Sequence, residues 1–285
     1  MIAALAGCNH ARNADVMATV NGKAIMKAAA EHLTPVTLEL GGKCPALVTR
    51  SADLGVAARR IAWTKMLNSG QTCIAPDYVM VDETVRDAFV AELKIALKDI
   101  SPNGDGGVGM PIVSPRHADR LAGLLEGHGG TLIQGGHIDA PNRKADLTVV
   151  VDPVKDSRLM TEEIFGPLLP IVSVSSQDEA MRHVLKGSKP LAAYIFSTSR
   201  REERTYRKTI SAGAVVSNHA AVHLLVHGLP FGGVGTSGMG SYHGRFGFET
   251  FSHRKAHLAR PGRLDPRIVY PPYSPFARRL IRKIF

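Results

Sequence analysis

Apolar runs alternate along this chain with segments whose apolar positions recur at helical spacing, and that alternation constrains the fold more than any other feature. The strand-like runs are Val36 to Leu40, Tyr78 to Val81, Thr131 to Gln134, Thr148 to Val151, Leu168 to Val174, Leu191 to Phe196 and Ala214 to Val216. Between them, Leu54, Ala58, Ile61 and Ala62 share a helical face that Ser51 or Asp53 can cap, and Val85 to Leu97 and Ala180 to Leu185 repeat the period. Several strands are apolar throughout, the pattern of burial on both faces of a parallel sheet, so the predicted class is α/β. With 285 residues, 44% of them hydrophobic, the chain can bury one large core or two modest ones.

Glycine and proline mark loops at 103–109, at Gly166-Pro167, at Pro271-Pro272 and, most densely, over Leu229-Pro-Phe-Gly-Gly-Val-Gly-Thr-Ser-Gly-Met-Gly240. The last has no βα unit around it, as a dinucleotide fingerprint requires, and no Gly-Lys-Ser/Thr of a phosphate-binding loop. It reads as a loop whose backbone approaches something closely.

Two residues stand where chemistry could be done. Cys73, in Asn68-Ser-Gly-Gln-Thr-Cys-Ile-Ala-Pro76, follows a helix and precedes a proline. Such a turn exposes a thiol beside free backbone N–H groups, which favour a thiolate and later an oxyanion. Taken alone, a cysteine so placed is more often a small packed hydrophobe. Glu39 ends the apolar run in Thr37-Leu-Glu-Leu-Gly-Gly-Lys43. The carboxyl end of a parallel strand is the usual ligand-binding edge, and an acid among leucines is expected to hold its proton towards neutral pH, as a general base requires. A solvent-facing acid on an edge strand would look the same.

Together these segments resemble the aldehyde dehydrogenase superfamily. Leu38-Glu-Leu-Gly-Gly-Lys43 is similar to its glutamate signature and Asn68-Ser-Gly-Gln-Thr-Cys73 to its cysteine signature. Glu162-Glu-Ile-Phe-Gly-Pro167 is similar to its cofactor-ribose motif, and the glycine loop from Leu229 to its late loop, all in the family's order. Ala75-Pro-Asp-Tyr78, Gly238-Met-Gly-Ser-Tyr-His-Gly244 and Glu249-Thr-Phe-Ser-His253 resemble the class 3, fatty-aldehyde-oxidising branch most closely.

The resemblance implies NAD(P)-dependent oxidation of medium- or long-chain aliphatic, or aromatic, aldehydes to acids, with NAD or NADP as cofactor. Cys73 would be the nucleophile, forming a thiohemiacetal and then a thioester, and Glu39 the base for its hydrolysis. Glu163 would hold a cofactor ribose, Phe165 would pack beside it, and the backbone of Leu40 and Gly41 would lie near the nicotinamide. No metal is implied.

The resemblance covers about Gly22 to Pro272, and the expectation is of a chain truncated relative to the family, lacking most of the Rossmann-like cofactor domain and its oxyanion-hole asparagine. Residues 1–38 are read as a remnant of that domain with a divergent start, 39–245 as the catalytic thiol domain, and 246–285 as a bridging strand with a basic tail. The helix expected from Lys23 to His32 looks like one of the family's. The stretch Phe246 to Ala256, with Phe246, Phe248 and Phe251, resembles a strand that pairs with a neighbouring subunit in a homodimer. Two further readings stay open: a catalytically silent fragment, and a cofactor-independent thiol esterase, for which Cys73 and Glu39 suffice. The chain alone is expected to show weak Cys73-dependent esterase activity and far slower NAD(P)-linked oxidation than a complete enzyme.

Formal charge is +10, with basic residues spread out except at Arg278, Arg279, Arg282 and Lys283, which interleave with Phe276, Leu280, Ile281, Ile284 and Phe285. No nucleic-acid partner is expected. The tail reads either as a solvated end or as a short amphipathic helix making peripheral contact with an anionic membrane. Cys8, Cys44 and Cys73 form no CxxC pair, which fits a reducing compartment, and the expected location is cytoplasmic, with membrane association through the tail as the alternative. Cys44 matches no nucleophile motif and reads as a packed thiol. His219, His223 and His227 recur every four residues, as helical metal ligands can, but lead into the glycine loop, where an outer channel or solvent is the expected surrounding.

Overall fold

The computed structural model describes residues 19–20, 23–24, 29–101, 109–263 and 265–284, so Cys8 and most of the 103–109 loop lie outside the described residues. The chain begins its described course with Thr19–Val20 (β1) paired antiparallel with Lys23–Ala24 (β2). The helix expected from Lys23 therefore does not start there. Residues 25–28 of that expected helix lie outside the described residues, and residues 29–31 near its end are helical.

Next come Leu38–Glu39 (β3), Pro45–Val48 (β4), Leu54–Met66 (α1), Tyr78–Asp82 (β5), Arg86–Ile100 (α2), Pro115–Leu125 (α3) and Thr131–Gln134 (β6). They are followed by Ile138–Asp139 (β7), Lys144–Ala145 (β8), Thr148–Val151 (β9), Arg158–Thr161 (α4), Leu168–Val174 (β10), Gln177–Lys186 (α5) and Ala192–Phe196 (β11). Arg200–Thr209 (α6), Ala214–Ser217 (β12), Gly238–Met239 (β13) and Gly244–Thr250 (α7) complete the first compact unit, which ends at Phe251.

The main sheet runs β12-β11-β4-β5-β10-β9-β6, parallel throughout except where β6 meets β9 antiparallel. The fold is thus α/β with a mostly parallel sheet. Strand parity divides its two faces. Ala46, Val48, Val79, Val81, Tyr194 and Phe196 pack with Ile61 of α1 and Phe89 and Leu93 of α2. The intervening Leu47, Met80 and Ile195 pack with Met181 of α5 and Tyr206 of α6. Continuous apolar strands are the consequence of that two-sided cover.

Helix starts follow their caps. Asp53 accepts from the Val56 N–H at 2.9 Å, and Ser114, Ser176 and Ser199 cap α3, α5 and α6 in the same way, each worth about 1 kcal/mol. Helix α6 buries only Tyr206, so periodicity hardly marks it. Its cap, with Glu202 and Glu203 in the first turn and Arg207 and Lys208 in the last, suits the helix dipole instead.

Where a strand is expected over Phe246 to Ala256, this chain forms α7, reinforced by an Arg245–Glu249 ion pair at 2.7 Å, with Phe248 and Phe251 exposed. Aromatic alternation makes a strand only where another strand pairs with it; within this one chain the segment satisfies its amides helically. A second compact unit, residues 252–285, holds a 3₁₀ turn at Arg267–Val269 and a helix at Pro275–Ile284 (α8).

Candidate active site

Glu39 does not end a strand of the main sheet. Strand β3 leaves that sheet and pairs antiparallel with β13, Glu39 opposite Gly238, while the Leu40 N–H donates to the Ser237 carbonyl at 3.0 Å. Gly238 makes this approach possible: its φ is +143°, and a Cβ there would stand 2.1 Å from the Leu38 carbonyl oxygen. The close approach expected of the glycine loop is therefore an approach to the Glu39 strand. Phe231 and Tyr242 bridge the loop's two ends through reciprocal backbone hydrogen bonds of 2.9 and 2.8 Å. The Tyr242 hydroxyl then donates to Oε2 of Glu39.

The cysteine turn grows from the end of α1. Asn68 and Ser69 both take left-handed φ, 51° and 55°, and Gly70 follows at 70°. A Cβ on Gly70 would meet the Gly166 carbonyl oxygen at 2.3 Å, so the turn lies directly against the loop at 162–167. Gln71 ties it in place, donating to the Asn68 and Pro111 carbonyls at 3.1 and 3.2 Å and accepting from the Val113 N–H at 2.8 Å. Beyond the cysteine, the buried Tyr194 hydroxyl donates to the Ile74 carbonyl at 2.6 Å and the buried Lys65 ammonium to the Pro76 carbonyl at 3.1 Å. Burial lowers the Lys65 pKa to about 8, against the opposing pull of Asp77.

Cys73 is half-buried, and its thiol lies close enough to the Glu39 carboxylate to be influenced by it. Burial first, then that carboxylate, push the thiol pKa well up. The turn was expected to favour a thiolate; here desolvation and a neighbouring anion push the other way, towards the protonated thiol. Cys44 is fully buried, as expected of a packed thiol. Its Sγ donates to the Cys73 carbonyl at 3.4 Å, and burial raises its pKa strongly.

The third part is the loop after α4. Lys43 pairs with Asp77 and donates to the Leu159 and Glu162 carbonyls at 3.0 and 2.8 Å, while Asp77 accepts from the Ile164 N–H at 2.8 Å. From the other side Arg120 donates to the Glu163 carbonyl at 3.1 Å and also to that of Ile164. His117, accepting from Arg120 at Nδ1, bonds the Phe165 carbonyl at 2.8 Å and meets its ring edge-on. Phe165 sits at φ 50°, a strained backbone that this double clamp sustains. The Glu163 carboxylate rests on the backbone at Gly41: a Cβ there would lie 2.8 Å from its Oε2. Burial, and secondarily Asp77, raise the Glu163 pKa to about 7.

Cys73, Glu39, Leu40, Gly41, Glu163 and Phe165 are thus drawn into one neighbourhood, at the amino ends of β4, β5 and β10. The carboxyl-edge expectation for Glu39 fails because β3 is not part of that sheet. The three histidines do not share a helix. His219 packs edge-on against Trp63; His223 is buried and stacked on Phe231, both ring nitrogens without a partner; His227 is exposed. Among the described residues, no group of three or more His, Cys, Asp or Glu could hold a metal ion.

The family model described as Aldehyde dehydrogenase family matches residues 17–257. The chain belongs to the aldehyde dehydrogenase family. It is 47% identical over 261 residues to the dog aldehyde dehydrogenase named dimeric NADP-preferring, covering 89% of this chain and 56% of that protein. To mouse aldehyde dehydrogenase family 3 member A2 it is 44% identical over 262 residues, covering 90% and 53%. Among solved structures, Staphylococcus aureus AldH in its substrate-bound state superposes with a TM-score of 0.86 at 38% identity, covering 91% of this chain and 57% of that one. A Methanocaldococcus jannaschii glyceraldehyde-3-phosphate dehydrogenase complexed with NADP superposes at 0.70 and 26% identity, covering 77% and 48%. The chain spans about half the length of the curated relatives it matches.

Three further residues of this candidate site lie inside quoted motifs, but the sequence marks no role for them. Tyr242 lies 203 residues from Glu39, and only a pairing of glycine loop with glutamate strand brings them together. Lys43 and Asp77 each sit in a quoted motif, and an oppositely charged pair in two motifs was the one available signal.

Proposed function

We propose that this chain supplies the catalytic part of an enzyme that oxidises aldehydes to carboxylic acids with NAD or NADP, working in the cytoplasm as a homodimer. Residues 39–245 would be its thiol domain and 1–38 would belong to the cofactor side. The observation that carries the reading is the half-buried Cys73 thiol within the influence of the Glu39 carboxylate, which the Tyr242 hydroxyl and the β3–β13 pairing hold in place. Glu39 takes the thiol proton as Sγ attacks the aldehyde carbon; the C–S bond forms and the carbonyl electron pair moves to oxygen. A bound nicotinamide supplies the hydride acceptor that the resulting thiohemiacetal needs to become a thioester. Once Glu39 has passed that proton to solvent it is a base again, and takes a proton from a water whose oxygen attacks the thioester carbonyl; the C–S bond breaks, releasing the acid, and the Cys73 thiolate regains a proton from Glu39.

The residues fit the cofactor. Glu163 presents a largely buried carboxyl over a Gly41 that has no side chain to fill the gap, which suits recognition of a ribose diol. Phe165 and the backbone of Leu40 and Gly41 would flank the ring. The relatives' names support NADP use and a dimer, and the class 3 resemblance supports medium- or long-chain aliphatic or aromatic aldehydes.

The Cys73–Glu39 pair does not depend on Glu163, so thiol-ester hydrolysis is a second activity of the same pair. With an activated ester, intact-mass spectrometry is expected to find an acyl group on Cys73 that persists in Glu39→Gln and turns over in the wild type. An aldehyde assayed with NAD and NADP is expected to yield reduced cofactor only while Cys73 is intact. Acylation elsewhere, or wild-type turnover in Glu39→Gln, removes the assignment.

A further inference from the structure

We propose that the unit at residues 252–285 is a docking surface for an anionic lipid bilayer, a reading independent of the chemistry at Cys73. Nine of the chain's Lys and Arg residues fall in this unit against one acid, Asp265, a net of +8 beside +10 for the whole chain. Helix α8 carries Arg278, Arg279, Arg282 and Lys283, which a rise of 3.6 residues per turn gathers on one arc, and no acid. Phe276, Leu280 and Ile284, four residues apart, line the opposite arc and are 69%, 38% and 66% exposed. Ala277 is buried and Ile281 half-buried, so the helix is already anchored by its inner edge while the Phe276–Ile284 line is left to solvent. Within the same unit Tyr270 and Tyr273 are 52% and 39% exposed, amphipathic rings of the kind that sit at headgroup depth.

The chemistry selects the occupant. An apolar line flanked by cations inserts beneath headgroups while the cations meet lipid phosphates and carboxylates. A polyanion such as nucleic acid would use the cations and leave the apolar line wet. A second copy of this unit would bring another +8 against the first and be repelled. No described helix is long and apolar enough to cross a membrane.

The full chain is to be sedimented with vesicles of phosphatidylcholine alone and of phosphatidylcholine mixed with phosphatidylserine. Binding is expected to the mixed vesicles only, and to weaken with added salt. The double variant Arg278→Gln/Arg282→Gln should lower the partition constant about fivefold per charge removed. Phe276→Ser/Ile284→Ser should lower it about tenfold or more, with unchanged far-ultraviolet circular dichroism showing that the fold survives. Equal binding to both vesicles, no binding to the mixed ones at low salt, or an apolar variant that binds like the wild type would each overturn the proposal, the last by reducing it to charge attraction alone.

Discussion

Tyr242 donates its phenolic hydroxyl to the carboxylate of Glu39, on the strand that the glycine loop pairs with, and the same carboxylate lies close enough to Cys73 to push its thiol pKa up. One carboxylate is thus held between a permanent donor and the thiol it would deprotonate. Burial, followed by the bond to Glu39, raises the Tyr242 pKa well above its ordinary value, so the hydroxyl remains a donor across the neutral range. Removing it with Tyr242→Phe should cost a hydrogen bond to a charged group, about 1.5–3 kcal/mol, or roughly tenfold or more in Cys73-dependent ester turnover. The loss is expected in kcat with KM nearly unchanged; turnover equal to wild type would make the contact incidental.

Gly238→Ala should be more severe. A side chain cannot occupy φ +143° with its Cβ 2.1 Å from the Leu38 oxygen, so the β3–β13 pairing must open and carry Glu39 away from Cys73. Ester turnover is expected to fall to the level of Glu39→Gln, while alkylation of Cys73, which needs only the cysteine turn, continues. Retained turnover would mean that the pairing does not position the carboxylate.

Cys73 should be alkylated faster than Cys44, because one is half-buried and the other has no exposed surface. Both thiols are pushed up in pKa, so labelling of either is expected to climb through the alkaline range without a plateau near neutrality. Peptide mapping after brief iodoacetamide treatment at several pH values reads both. Faster labelling of Cys44 would reverse the assignment.

Glu163 offers a test through stability. Its folded pKa of about 7 lies above the 4.5 of an ordinary glutamate, so between those values the folded chain keeps a proton that the unfolded chain releases. The stabilisation belonging to this proton is complete below about 4.5 and is lost as pH rises towards 7, a few kcal/mol at most. Glu163→Gln removes the titration. Its melting temperature should therefore gain on the wild type from pH 4.5 to 7 and run parallel above. Parallel curves throughout would place the carboxyl in solvent.

Sequence alone determined the α/β class, most strands of the main sheet, the helices α1, α2 and α5 and the family, because apolar period, turn chemistry and contiguous motifs are local properties that need no knowledge of distant residues. It also marked Cys73, Glu39 and Glu163, each inside its own motif. Only the tertiary structure decided that β3 leaves the main sheet for β13, that the six marked residues gather at the amino ends of parallel strands, and that Tyr242, Lys43, Asp77 and Arg120 hold them. Those contacts join residues far apart in the chain, where no periodicity can signal a pairing. The upward push on the Cys73 pKa was out of reach of the sequence for the same reason: a turn's free amides are visible locally, whereas desolvation and a carboxylate arriving on another strand exist only once the chain has folded.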